Sequence, residues 1–81
     1  MKIDITEKKI NLKKLDEAIK ECQSSWNSKK IYLFMSKETA AEMTFSHDFK
    51  TFQNNSYSVF TYLEKNVYID DSLNFGEIVI K

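Results

Sequence analysis

Apolar and polar positions along this chain follow two periods, and the switches between them mark the elements. From Tyr57 to Leu63, Ser58, Phe60 and Tyr62 alternate with Tyr57, Val59, Thr61 and Leu63. In Glu77–Lys81, Ile78 and Ile80 alternate with Glu77, Val79 and Lys81. Period two in β-branched and aromatic residues predicts half-buried strands. Val67–Ile69 is a third short strand between them. Glu64-Lys65-Asn66 reads as a three-residue hairpin loop with Asn66 in the left-handed conformation. The Asp70–Gly76 connection holds the single glycine, which can take a positive φ.

Upstream the period becomes helical. Leu12, Leu15, Ile19, Cys22 and Trp26 share one stripe, and Asn11 stands before them as an N-cap. Ile10 and Leu15 occupy the positions of a hydrophobic staple. Lys13, Lys14, Asp16, Glu17, Lys20 and Glu21 form the opposite face, and Asn27 suits the helix C-terminus. Lys2–Thr6 alternates as a short first strand. Lys30–Met35 contains the unbroken apolar run Ile31-Tyr32-Leu33-Phe34-Met35, which predicts a central strand covered on both faces. Ser36 caps a short helix to Met43. Residues 45–53 fit two forms: a helical turn capped by Ser46 and holding Phe49 and Phe52, or an ordered loop pinned by its phenylalanines. Asn54-Asn55-Ser56 reads as a turn. The expected order is β-α-β-α-β-β-β, a single α+β domain over 1–81, its mainly antiparallel sheet covered by the Asn11–Trp26 helix.

The length of 81 residues allows one domain, and a 42% hydrophobic, 14% aromatic composition argues against disorder. Cys22 is the single cysteine, so no internal disulfide forms, and a reducing, cytoplasmic setting is expected. No apolar run reaches membrane-span length, and no apolar segment follows the first lysines as in a signal peptide. Net charge is zero, but residues 1–30 hold eight lysines against five acids and residues 31–81 four against seven. All twelve basic residues are lysine. Without arginine or net positive charge, nucleic-acid binding is not expected.

Chemistry-bearing residues are few. His47-Asp48 is the one histidine beside an acid, and a turn role suits it better than a dyad; zinc would need several such ligands. Asp70-Asp71 could begin a cation loop, and Asp70-x-Ser72-x-Asn74-x-Gly76 followed by Glu77 alternates faintly, but it is not an EF-hand pattern. Asx bonds within a turn are the simpler reading. The functional alternative is an exposed acidic loop that meets a partner, with Phe75 as its apolar anchor. Cys22 lies on the apolar helical stripe and reads as core. Trp26, at the end of that stripe, and Tyr62, in an alternating strand, are interface candidates because amphipathic aromatics favour such places. One glycine excludes a P-loop or dinucleotide fingerprint. No catalytic, cofactor or metal residues are assigned, and an enzyme is not expected.

The run Val67-Tyr68-Ile69-Asp70-Asp71-Ser72-Leu73-Asn74-Phe75-Gly76-Glu77-Ile78, together with the helix text from Leu12 to Cys22, resembles small phage and prophage proteins of low-GC bacteria. The match covers about half the chain and is no functional signature. It implies an origin in a mobile element. Such proteins are often dedicated binders that block a host enzyme or defence complex, anti-CRISPR proteins among them. The expectation is a protein-binding module whose partner is a larger host protein or complex, with Asp70, Asp71, Phe75, Tyr62 and Trp26 as candidate contacts. Two alternatives stand beside it: a phage component that self-assembles through exposed strand edges, and a weak nucleic-acid binder using the N-terminal lysines.

Overall fold

The two periods correspond to two helices and six strands in the computed structural model, which describes residues 1–26, 30–54 and 57–81. In chain order these are β1 (Lys2–Asp4), α1 (Leu12–Ser25), β2 (Tyr32–Met35), α2 (Lys37–Met43), β3 (Phe49–Asn54), β4 (Tyr57–Tyr62), β5 (Lys65–Ile69) and β6 (Glu77–Ile80). The strands form one mixed sheet in the order β1-β6-β2-β5-β4-β3. Every pairing is antiparallel except β2 with β5. The class is α+β, as the sequence predicts. The last strand lies between β1 and β2, so the two ends of the chain interlock.

Local chemistry explains the helices. The Asn11 side chain accepts from the Lys13 N–H at 3.1 Å, which supplies one of the acceptors a helix start lacks. Ile10 and Leu15 are both buried, at the expected staple positions. Leu15, Ala18, Ile19 and Cys22 enter the core, with Leu12 and Trp26 packed at its margin. Ser36 caps α2 by accepting from the Thr39 N–H at 3.2 Å. Asn27, Asn55 and Ser56 lie outside the described residues.

Three local expectations are corrected. Of residues 45–53, 45–48 form turns, with Ser46 Oγ accepting from the Asp48 N–H at 3.2 Å, but 49–53 are neither a helical turn nor a loop: they belong to strand β3, paired along its length with β4. Phe49 and Phe52 are three apart, which mimics helical spacing, yet they face opposite ways: Phe49 is buried and Phe52 is 52% exposed. The backbone bonds offered by β4 decide the matter, because a hairpin satisfies donors that an isolated turn leaves open. The next hairpin turns on two residues, Leu63 (φ 50°) and Glu64 (φ 64°), rather than on three. Asn66 therefore sits inside β5, opposite Thr61. The third correction concerns β2. It is central, but only Leu33 and Met35 are buried, while Tyr32 and Phe34 are half-exposed.

The core lies between the helices and one face of the sheet. Leu33, Met35, Val67, Ile78, Ile80, Phe49 and Tyr62 point into it. The α2 N-terminus is joined to the Asp70–Gly76 loop by a buried polar knot. The Gly76 N–H donates to Thr39 Oγ1 at 2.9 Å, and Thr39 Oγ1 lies 2.9 Å from Ser36 Oγ. Gly76 has φ +84°, and a Cβ there would meet Thr6 Oγ1 at 1.6 Å. Gly76→Ala should therefore destabilise the fold by about 2 kcal/mol or more, through backbone strain and displacement of Thr6. A urea titration reads this as a lowered midpoint with an unchanged slope.

Candidate functional site: the uncovered face of the sheet

Alternation in a strand sends successive side chains to opposite faces, so the helix-facing core implies a second set pointing away. In β2 that set is Tyr32 and Phe34, and in β5 it is Asn66 and Tyr68. The parallel register places Phe34 beside Tyr68 and Tyr32 beside Asn66. Val79 of β6 pairs with Phe34 on the other side. Farther out, β4 and β3 contribute Val59, Thr61, Lys50 and Phe52, with Phe52 opposite Val59 and Lys50 opposite Thr61.

The aromatic residues cluster at the centre. The Phe34 and Tyr68 rings stack with centroids 5.4 Å apart, and the Tyr32 and Tyr68 rings tilt together at 5.9 Å. Such pairs gain from offset or tilted geometry beyond the area they bury. Lys81 Nζ sits 4.9 Å from the Phe34 ring centroid, a cation–π contact. Tyr68 remains 47% exposed. The margin is polar, with Lys2 and Glu77 paired at 3.4 Å near Asp4. Among the described residues neither helix packs on this face. An apolar, aromatic centre with a mixed-charge rim is the layout of a protein interface.

The residues singled out from sequence fall in three separate places. Tyr62 points into the core and is 1% exposed, so it offers no surface contact. Its hydroxyl donates to Asp16 Oδ1 at 2.6 Å and ties β4 to α1. Trp26 is half-buried at the C-terminal cap of α1. Asp70, Asp71 and Phe75 share the loop after β5, where both carboxylates have local work. Asp71 Oδ1 accepts from the Lys37 N–H at 2.9 Å, a second cap on α2. Asp70 Oδ1 accepts from the Ser72 hydroxyl at 2.6 Å and the Ser72 N–H at 3.0 Å, bonds that hold its carboxyl below the usual range. The Asx reading of this loop thus has its geometry. Phe75, on the same loop, is 41% exposed.

Other candidates have ordinary surroundings. Cys22 is buried with its Sγ 3.9 Å from Met1 Sδ, and burial pushes its thiol up. That is the reverse of what a nucleophilic thiolate needs. His47 is exposed on the turn before β3. Among the described residues no three His, Cys, Asp or Glu gather as metal ligands, and no helix is long and apolar enough to cross a membrane. The face residues Tyr32, Phe34 and Tyr68 were missed as a site because each lies in a run that reads as core. The available signal was the tyrosines, whose hydroxyls suit a doubly covered strand poorly.

Comparison with family models, curated proteins and solved structures finds no match for this chain.

Burial, then the bond to Asp16, then the charges of Asp16 and Asp48 push the Tyr62 phenol well above its ordinary value of 10.0. A raised folded-state pKa stabilises fully below pH 10, and this contribution is lost as pH climbs above that value. Tyr62→Phe should cost about 1–2 kcal/mol at neutral pH. The wild-type advantage over this variant should shrink above about pH 10, as read by urea unfolding at stepped pH.

Proposed function

We propose that this chain is a protein-binding module that acts by occupying a surface of a larger protein with its uncovered sheet face. The observation that carries the reading is the Tyr32–Phe34–Tyr68 cluster at the centre of that face, with Tyr68 exposed and Tyr32 and Phe34 partly so. Rigid aromatics lose little entropy when covered, and they dominate the energetic centres of interfaces. Lys81 beside Phe34 and Lys50 on β3 suit a partner whose apolar patch is flanked by acids. The resemblance in the sequence supplies the rest of the proposal: a host enzyme or defence complex as partner, blocked because its surface is occupied.

Aromatic residues on a sheet can also stack nucleic-acid bases. Here the charges argue against that use. Asp4 and Glu77 share the face with the lysines, there is no arginine, and the net charge is zero. Phosphate neutralisation supplies most nucleic-acid affinity, and this face has little to offer it.

The test compares tagged wild type with a Phe34→Ala/Tyr68→Ala double variant in nuclease-treated lysate of a low-GC bacterial host. Wild type should retain one dominant protein, and the double variant should lose at least ~10-fold of that capture. Its thermal unfolding should stay within several degrees of wild type, because both rings stand partly in water. Equal capture by the folded double variant, or capture abolished by nuclease, overturns the reading.

A further inference from the structure

The sheet has two edges, and they are finished differently. β1 has three residues, with Lys2 and Asp4 pointing outward, and a short charged edge resists added strands. β3 has six residues, Phe49–Asn54, with no proline and one charge, Lys50. No other strand pairs with its outer side among the described residues.

Pairing geometry fixes which backbone groups are free there. The two-residue turn at Leu63 and Glu64 joins Tyr62 to Lys65 as the closing bonded pair, so Tyr62 turns its N–H and C=O toward β5. The register alternates from there, and the Leu63 N–H donates to the Asp48 C=O at 3.1 Å. Along β3, Lys50 and Phe52 therefore bond to β4, while the N–H and C=O of Thr51 and Gln53 face away from the sheet. These are the groups that an added strand uses.

We infer that β3 pairs antiparallel with β3 of a second copy, about a two-fold axis at Thr51, to make one continuous twelve-stranded sheet. The side chains are self-complementary in this register. Thr51 meets Thr51 of the second copy in a bonded pair, a favourable cross-strand combination. Lys50 of each copy lies opposite Phe52 of the other, an ammonium beside a ring that is 52% exposed in the monomer. Shifting the axis to Lys50 would oppose two lysines, so charge selects against that neighbouring register. An isologous contact of this kind closes at two copies. It also puts both open faces on one side of the joined sheet, with β4 and β3 of each copy between the two aromatic patches.

The experiment is sedimentation of the full chain over a wide concentration range, with residue-resolved amide exchange on the same samples. Wild type should rise from 9.6 kDa toward twice that mass. The Thr51 and Gln53 amides should become protected as it does, while Lys50 and Phe52 stay protected throughout. Thr51→Pro removes only an outward donor, so the β3–β4 ladder survives and the variant should stay at 9.6 kDa. Gln53→Pro should behave alike. A wild type that stays monomeric at about 1 mM overturns the inference. So does a dimer whose Thr51 amide exchanges freely, or one that Phe34→Ala/Tyr68→Ala dissolves while folded Thr51→Pro does not. A monomer that still captures a protein through Phe34 and Tyr68 sinks this inference alone and leaves the open-face reading intact.

Discussion

Two helices on the same side of a six-stranded sheet cannot cover both of its faces, and the rest of the molecule follows from that limit. The sheet is ~24 Å wide at ordinary strand spacing. Helix α1 is ~21 Å long and α2 ~10 Å, just enough to roof one side. Every fully buried aliphatic side chain of the strands therefore points toward the helices. What stands on the other side must tolerate water, and the chain places there tyrosines, a stacked phenylalanine, threonine and lysines.

Order in the roof depends on a small polar assembly. Thr39 Oγ1 accepts from the Gly76 N–H and lies in hydrogen-bond contact with Ser36 Oγ where the start of α2 meets the last loop, and Asp71 adds a second cap from that loop. The loop leads into β6, the strand between β1 and β2. A single junction thus couples the shorter helix to the strand that unites the chain's ends. The acids read as a partner-facing loop hold this junction and its turn, and they still present exposed surface. Tyr62 does a comparable job across the layers, joining β4 to α1 through Asp16.

Much of this was legible in the sequence, because helix caps and amphipathic stripes are written locally. Asn11 and Ser36 cap the helices they precede, Leu15, Ile19 and Cys22 are buried, and Gly76 has the positive φ its turn invites. Strand β3 was illegible because Phe49 and Phe52 carry a helix-like spacing, and only the partner strand β4 overrides it. The two-residue hairpin was illegible because Leu63 and Glu64 are poor residues for positive φ, whereas Asn66 nearby is a good one. Strand pairing on both flanks imposed the shorter turn.

The candidate site divides along the same line. The sequence by itself determined the class of fold, the two capped helices and their buried stripe, since each of these depends on neighbours within a turn or two. It could not say which side of an all-apolar strand would face the helices. Residues 31–35 read as buried throughout, and only the number and placement of covering helices exposed Tyr32 and Phe34. Tertiary structure then brought Tyr68 and Lys81 to those rings from distant strands. A surface assembled from β2, β5 and β6 exists only once non-local pairing has fixed the register, and no local pattern in the chain encodes it.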